Sequence, residues 1–242
     1  MELRGRVALV TGAGRRLGQA IAVALGARGA SVAVHYMSSD AGARDTKASI
    51  DAAGGTARLF RADLADPEAP ARLVEAVFES FGALHVLVNS AGIMLRTPVG
   101  SITLAEWESI FAINLRAPFF VAQAASRRMD PGGAIINIAD LAAFETWTGY
   151  VPHGISKAGV VQMTRALAHA LAPRIRVNAV APGVVLLPEG WDRAAAERLV
   201  QTTPLKRVGS PSDVVDAVLY LLEAEFVTGE TMLVDGGRHV RR

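Results

Sequence analysis

The chain has 242 residues, of which 51% are apolar, none is cysteine, and the formal net charge is +2. The apolar content is enough for a substantial core, and the lack of cysteine excludes disulfides and thiolate metal sites. The only basic run is the terminal RHVRR, which argues against nucleic acid as the main partner. No apolar run reaches about 18 residues and no signal-peptide pattern is present, so we expect a cytoplasmic protein without a membrane segment.

Short apolar runs alternate with helical patterns along the whole chain. The predicted strands cover 6–11, 31–36, 56–63, 84–89, 134–140, 175–183 and 230–237. The predicted helices cover 16–28, 38–53, 66–81, 103–129, 150–172 and 211–224. This alternation implies right-handed βαβ crossovers, and predicts an α/β fold with a doubly wound, mostly parallel sheet of seven strands flanked by helices on both faces. No linker interrupts it, so we predict one domain over residues 1–242.

Local signals mark two helix starts and one insertion. Asp66 with Pro67, and Ser210 with Pro211, are typical of an N-cap followed by the first helical residue. The segment 184–202 is longer than needed to join its neighbours. Because it follows the carboxyl end of a strand, we predict that it forms a lid over the substrate.

A glycine-rich turn follows the first strand. Gly12, Gly14 and Gly18 stand where strand gives way to helix, which allows the backbone to approach a pyrophosphate at a helix N-terminus. The spacing G-x-G-x-x-x-G is weak evidence alone and is also compatible with a tight turn that binds nothing. Its place on the first strand–helix turn of an alternating chain predicts a dinucleotide site.

The end of the second strand bears on the choice of dinucleotide. The first acid there is Asp40. Before it come His35, Tyr36, Met37 and Ser38. An acid at the strand end would bind the ribose hydroxyls and repel a 2′-phosphate, whereas Arg15 and Arg16 in the turn would attract one. NADP(H) is therefore favoured, and Asp40 keeps NAD(H) possible.

The motifs together resemble the short-chain dehydrogenase/reductase family over essentially the whole chain. They are TGAGRRLG, NSAG at 89–92, Asn114 in FAINLRAPFF, Lys157, VNAVAPG and VDGG. The resemblance implies a Rossmann fold, an NAD(P)-dependent oxidoreductase, and a homotetramer or homodimer packed through the helices 103–129 and 150–172. It implies cofactor contacts at Gly12, Gly14, Arg15, Arg16, Leu17, Gly18, His35, Tyr36, Ser38, Asp63, Leu64, Asn89, Ser90, Ala91, Lys157, Pro182 and Gly183.

Within the family, four features resemble the pteridine reductase branch. They are Arg16 in place of a glycine, HY after the second strand, NLRAP and NIAD. Met94 stands where those reductases carry an aromatic residue that stacks on the pterin, and the substrate contacts implied are Arg16, Met94 and Val184.

The catalytic residues match the family at two positions and depart from it at two. Asn114 and Lys157 match. The position of the family's tyrosine is His153, and the position 13 residues earlier, usually serine, is Asp140. The pteridine reductases resemble this sequence in having aspartate there.

Histidine can replace tyrosine as the proton donor only if it is held as imidazolium. The Lys157 cation disfavours imidazolium, whereas a carboxylate within about 4 to 6 Å favours it and orients the ring. We therefore predict that Asp140 and His153 form the acid of an NADPH-dependent reductase acting on a small carbonyl or a pteridine-like C=N bond. The resemblance implies that Lys157 binds the nicotinamide ribose and that Asn114 holds a water.

Two alternatives remain open. Tyr150, three residues before His153, can share its helical face and act as the donor. Alternatively, the protein is a catalytically silent dinucleotide-binding sensor or assembly partner. The histidines at 35, 85 and 239 show no metal-ligand spacing, and no metal site is predicted.

Overall fold

Seven strands and eight α-helices alternate in the computed structural model, which describes residues 1–186 and 193–240. The strands are β1 (Val7–Thr11), β2 (Ser31–Tyr36), β3 (Thr56–Arg61), β4 (Val86–Asn89), β5 (Gly133–Ile138), β6 (Ile175–Pro182) and β7 (Thr231–Val234). The helices are α1 (Arg16–Ala27), α2 (Asp40–Ala52), α3 (Ala69–Phe81), α4 (Leu104–Phe111), α5 (Ala117–Arg128), α6 (Val151–Leu171), α7 (Arg193–Thr202) and α8 (Pro211–Glu223).

The strands form one parallel sheet in the order β3-β2-β1-β4-β5-β6-β7. The order reverses between β1 and β4, where Thr11 lies opposite Asn89. Ligands of doubly wound sheets bind outside the carboxyl ends of the strands at such a reversal. The predicted fold is confirmed, and the candidate residues that follow β1, β4, β5 and β6 lie at this edge.

Both faces of the sheet are covered, and the sequence of β1 shows how. Ala8 and Val10 pack in one buried cluster, whereas Val7 and Leu9 pack in a second cluster on the opposite face. This alternation follows from the two-residue period of a strand, and apolar residues at every position are expected where helices cover both faces. The result is a rigid platform for the turns at the carboxyl edge.

The predicted helix over 103–129 is wrong as a single α-helix. The structure has α4, a π-helical turn at Ala112–Arg116, and α5. Pro118 in the first turn of α5 has no N–H group, so the ladder of α-helical bonds is interrupted just before it. Instead, the Ala117 N–H bonds to the carbonyl of Ala112, five residues earlier. Such π-helical turns often occur at functional sites, and this one carries Asn114.

The predicted start of the third helix is also wrong. Asp66 does not cap α3, which begins at Ala69 with Pro70 in its first turn. The Asp66 carboxylate accepts the N–H of Glu68, which closes a separate turn before the helix. By contrast, Ser210 and Asp213 form a reciprocal capping box at α8, as the Ser210–Pro211 pattern predicts.

Part of the predicted lid over 184–202 lies outside the described residues, namely 187–192. The remainder includes α7. None of the helices in the described ranges is long and apolar enough to cross a bilayer.

Candidate active site

The glycine turn after β1 is packed so closely that side chains do not fit. A Cβ on Gly12, whose φ is +67°, would lie 2.8 Å from the Cα of Ala91. A Cβ on Gly18 would lie 2.3 Å from the carbonyl oxygen of Gly12. Glycine is therefore required for the backbone of α1 to approach β1 and β4, as a dinucleotide turn demands.

Thr11 ties the glycine turn to the NSAG segment. Its Oγ1 accepts the N–H groups of Ser90 and Ala91, at 3.0 and 3.1 Å. The Asn89 side chain turns inward and donates to Asn137 Oδ1 at 2.9 Å. The backbones of Ser90 and Ala91 are thus held beside the turn, where the family resemblance implies cofactor contacts.

His35 stabilises the glycine turn through hydrogen bonds of its ring nitrogens to the backbone. Its Nδ1 accepts the N–H of Gly12 at 3.1 Å, and its Nε2 lies 3.2 Å from the carbonyl oxygen of Ala62. These partners require a neutral ring protonated at Nε2, and burial lowers the pKa of His35 to about 4. His35 therefore bridges two backbone segments at the cofactor edge.

The N-terminus of α1 is suited to an anion. Its first turn has no acidic residue and no side-chain hydrogen bond at the cap, Arg15. Arg15 and Arg16 are both exposed. Arg16 adopts a left-handed conformation, with φ of +53°, at the place where the family usually has glycine. Free N–H groups, the helix dipole and two guanidinium groups together fit a pyrophosphate.

The end of β2 carries more positive charge than the sequence suggested. Asp40 accepts from Tyr36 Oη and from Arg44 Nε, both at 2.8 Å. Arg44 and then Tyr36 lower the pKa of Asp40, which is engaged with its neighbours. Arg61 donates to the carbonyl oxygen of Met37 at 3.1 Å. Arg44 and Arg61 were not predicted, although the spacing of Arg44 from Asp40 and the position of Arg61 at the end of β3 are visible in the sequence.

The other predicted cofactor residues lie along the same edge. Ser38 is exposed after β2, and Asp63 accepts the N–H of Ala65 at 2.9 Å after β3. Leu64, next to it, is buried. Pro182 ends β6, and a Cβ on Gly183 would lie 2.8 Å from the Cα of Asp235. Leu17 and Gly14 complete the turn, with Leu17 packed against the core and a Cβ on Gly14 placed 2.9 Å from Ser39 O.

Asp140 and His153 face each other across the carboxyl end of β5. Asp140 follows β5, and one of its oxygens accepts the N–H of Ala142 at 2.8 Å. Its other oxygen, Oδ2, lies 3.6 Å from Nε2 of His153, whose side chain is 4% exposed. His153 lies in the first turn of α6. Its Nε2 has no hydrogen-bond partner among the described residues and is buried.

The other ring nitrogen of His153 faces the backbone and Asn114. Nδ1 lies 3.3 Å from the carbonyl oxygen of Ile93 and 3.4 Å from Asn114 Nδ2. Asn114 Nδ2 also donates to Ile93 O at 2.9 Å and to Ser156 Oγ at 3.2 Å. Ile93 and Ser156 were not predicted as site residues. Ile93 contributes only its backbone, for which the sequence carries no signal.

Lys157 is buried beside the same carboxylate. Its Nζ donates to the carbonyl oxygen of Ile138 at 2.8 Å. Burial lowers the pKa of Lys157, and the negative charge of Asp140 opposes that shift. Asp140 therefore interacts with two cationic side chains, Lys157 and, when protonated, His153.

Tyr150 caps the N-terminus of α6. Its ring packs edge-to-face with Trp147, with ring centroids 6.3 Å apart, and its backbone pairs with Thr97. Its backbone carbonyl accepts the N–H of Gly154 at 3.0 Å. Tyr150 is thus at the edge of the site, one helical turn from His153.

Two predicted substrate residues lie at different parts of the edge. Met94 directly follows Ile93 and is 44% exposed. Val184 lines a cavity of about 460 Å³ with the residues after β7, including Asp235 and Arg238. Arg238 reaches Glu145 in the segment between Asp140 and α6, with an N–O distance of 3.5 Å. This cavity is large enough for a small organic molecule.

Comparison with known proteins agrees with this geometry. Residues 12–239 match the family model described as Enoyl-(Acyl carrier protein) reductase. A 3beta-hydroxysteroid dehydrogenase 1 of Eggerthella lenta is 37% identical over 251 residues, which is 98% of this chain and 94% of that protein.

Solved structures are similar over the whole chain. The short-chain dehydrogenase/reductase from Serratia marcescens has 33% identity and a TM-score of 0.93 over 99% of this chain and 100% of its own. A blue fluorescent protein from a metagenomic library, in complex with NADPH, has 38% identity and a TM-score of 0.92 over 98% of this chain and 99% of its own. With its parallel sheet and the family's motifs at the carboxyl edge, the chain belongs to the short-chain dehydrogenase/reductase family of oxidoreductases.

Proposed function

We propose that the protein is an NADPH-dependent reductase in which His153 replaces the usual tyrosine as proton donor. The observation that carries the proposal is the placement of His153 between two hydrogen-bond acceptors. Nδ1 faces the carbonyl oxygen of Ile93 at 3.3 Å, and Nε2 faces Asp140 Oδ2 at 3.6 Å. An imidazole with an acceptor on each side is best satisfied when both nitrogens carry protons.

The residues at the carboxyl edge fit the dinucleotide. The glycine turn and α1 offer N–H groups to the pyrophosphate, and Arg15 and Arg16 add positive charge. Asp40 is already engaged by Tyr36 and Arg44, which leaves it poorly placed to repel a 2′-phosphate. These features favour NADP(H), and a similar protein has been solved with NADPH. When bound, the nicotinamide supplies the hydride for the substrate carbon.

The proton travels a short route within the chain. Nε2 of His153 releases its proton to the substrate oxygen or nitrogen as negative charge develops there. The other proton stays on Nδ1, hydrogen-bonded to the carbonyl oxygen of Ile93, so the ring becomes neutral without having to move. Asp140 holds the ring in this orientation before the transfer.

The charge of the site assists the transfer. Two cations, Lys157 and protonated His153, share one carboxylate, Asp140, so the site carries one net positive charge. Negative charge developing on the substrate is stabilised by that excess, in a place from which most water is excluded. Lys157, held by Ile138 O, is proposed to bind the nicotinamide ribose as well.

The surroundings favour an apolar substrate with one carbonyl group. Met94, Leu95 and Phe144 are exposed apolar side chains close in sequence to Ile93 and Asp140. The similar protein of E. lenta is named for a hydroxysteroid. Arg16 and Asp140 are features that resemble the pteridine reductases, so a pteridine-like C=N bond is the second substrate class that we propose.

We propose in addition that the protein is a homotetramer or homodimer. Phe119 and Phe120 of α5 and Ile155 of α6 are exposed apolar side chains on the long helices through which the family resemblance implies assembly.

The test is steady-state oxidation of NADPH across apolar ketones, quinones and dihydropteridines. We expect turnover on a member of the first or third group, with NADPH preferred over NADH. Tight binding of NADPH with no turnover on any substrate, and none gained in His153→Tyr, would instead identify a silent dinucleotide-binding protein. Cofactor binding measured by fluorescence separates that result from a chain that has not folded.

A further inference from the structure

A buried serine, Ser156, bonds both to the backbone of His153 and to the side chain of Asn114. Ser156 is fully buried in α6, next to Lys157. Its hydroxyl donates to the backbone oxygen of His153 at 2.7 Å. Since its one proton is used there, the hydroxyl acts as acceptor toward Asn114 Nδ2, which lies 3.2 Å away.

The amide of Asn114 has only one acceptable orientation. Its Oδ1 accepts the N–H of Ile93 at 2.8 Å, while its Nδ2 donates to the carbonyl oxygen of the same residue at 2.9 Å. Reversing the amide would set donor against donor and acceptor against acceptor. One amide proton therefore goes to Ile93 O, and the second goes to Ser156 Oγ.

This leaves no amide proton for His153. Nδ1 of His153 lies 3.4 Å from Asn114 Nδ2 and 3.3 Å from Ile93 O. Because both amide protons are already used, Nδ1 is satisfied only by donating its own proton to Ile93 O. Nε2 is then the nitrogen that gains and loses the proton, and it is the one that faces Asp140.

We propose that Ser156 is a positioning residue that sets the tautomer of His153. By accepting the second amide proton of Asn114, it keeps Nδ1 protonated and Nε2 free to exchange a proton with the substrate. Without this hydroxyl, the amide proton turns toward Nδ1, which then accepts it. The neutral ring carries its single proton on Nε2, and the imidazolium form is disfavoured by an N–H facing an N–H.

The effect of Ser156 on turnover rests on the proposed function, whereas the tautomer of His153 can be measured whether or not the protein is a reductase. The experiment is nitrogen NMR of the full chain labelled at histidine, with the His153 signals assigned by their loss in His153→Gln. In the unaltered protein we expect Nδ1 to be protonated from acid to alkaline pH, while Nε2 titrates. In Ser156→Ala we expect the chemical shift of Nδ1 at alkaline pH to move to the range of an unprotonated nitrogen. Turnover at neutral pH should be lower by about tenfold or more.

Thr164 of α6 provides a matched control. Its Oγ1 accepts from Asn137 Nδ2 at 2.9 Å and donates to the carbonyl oxygen of Val160 at 2.8 Å, the same amide–hydroxyl–carbonyl arrangement without a histidine. Thr164→Val should leave both His153 nitrogens unchanged. If Ser156→Ala does not fold, Ser156→Cys, whose sulfur is a weaker acceptor, should shift Nδ1 in the same direction.

An unprotonated Nδ1 in the unaltered protein at alkaline pH, or an Nδ1 signal that neither Ser156 variant shifts, would overturn the inference. Lost turnover without a change at Nδ1 would also overturn it, because the serine would then be structural. If the nitrogens behave as expected but no substrate is reduced, the tautomer assignment stands and the proposed reductase activity fails.

Discussion

The Asp140 carboxylate, which follows β5, lies 3.6 Å from Nε2 of the His153 imidazole in the first turn of α6. A buried imidazole beside a buried lysine would be expected to stay neutral, since each cation disfavours the other. The negative charge of Asp140 opposes the lowering of the pKa of Lys157 and also faces the imidazole of His153. We therefore propose that His153 and Asp140 act together as the proton donor.

Removing this carboxylate should abolish most of the proton donation. Asp140→Asn keeps an acceptor for the Ala142 N–H, so the turn after β5 should survive. Without the negative charge, the imidazolium form of His153 loses its main support, and we expect kcat to fall by about a hundredfold. The measurement is NADPH oxidation at neutral pH on the best substrate found.

Asp66→Asn is the control, because Asp66 also accepts a backbone N–H two residues ahead but lies in the turn before α3. A full rate in Asp140→Asn would exclude the carboxylate from the mechanism.

The fold and most of the candidate site residues can be predicted from the sequence pattern. The remaining features depend on backbone geometry and on the direction of individual hydrogen bonds. The strand–helix alternation predicts the parallel sheet, since buried strands such as β1 must be apolar on both faces. The glycine turn and the Asp140–His153 pair are found by counting residues within motifs. The π-helical turn at Asn114 and the role of the Ile93 carbonyl depend on backbone geometry, which no residue type reports. Ser156 was missed because its importance lies in which proton of Asn114 it accepts.

Lys157 should lower the free energy of unfolding, although it is proposed to bind the cofactor. Burial lowers the pKa of Lys157 in the folded chain, whereas the unfolded chain keeps the ordinary value. Between those two values the unfolded chain binds more protons, so this residue makes stability increase as pH rises through that window. Lys157→Met should remove that increase and weaken cofactor binding.

The measurement for Lys157 is thermal unfolding from neutral to alkaline pH, together with NADPH affinity. Lys47→Met is a control, since Lys47 is on the surface and pairs with Asp51. An unchanged pH slope and unchanged affinity in Lys157→Met would contradict the placement of this lysine.

The preference for NADP(H) should depend on the end of β2. Ser38→Asp places a carboxylate after β2, where it repels a 2′-phosphate and can bind ribose hydroxyls. We expect the ratio of NADPH to NADH affinity to fall by about tenfold or more, since a hydrogen bond to a charged group contributes roughly 1.5 kcal/mol or above and about 1.4 kcal/mol is tenfold in affinity. Titration of both cofactors by fluorescence checks this, with Ser49→Asp, on the surface of α2, as control. An unaltered ratio of NADPH to NADH affinity in Ser38→Asp would show that the 2′-phosphate does not bind at the end of β2.

His35 should make the fold sensitive to mild acid. Its pKa in the folded chain is about 4, below the ordinary value of 6.5, so the unfolded chain binds more protons between these values. Stability is therefore intact above pH 6.5 and is lost as pH falls to about 4, by about 3 kcal/mol in total. Denaturant unfolding from pH 7 to 4 measures this loss.

The His35→Asn variant should show a flatter pH dependence over the same range. His85, whose pKa is also lowered by burial, contributes in the same direction, and His85→Asn separates its share. An equal slope in the unaltered protein and in His35→Asn would contradict the neutral, backbone-bridging role of His35.

The most direct test of the account is the pH dependence of hydride transfer in a single turnover, in the unaltered protein, His153→Ala and Tyr150→Phe. Because the proposed donor is the protonated ring of His153, we predict that the rate falls as pH rises in the unaltered protein and in Tyr150→Phe, and that His153→Ala is nearly inactive. Retained activity in His153→Ala together with its loss in Tyr150→Phe would contradict the account and make Tyr150 the proton donor.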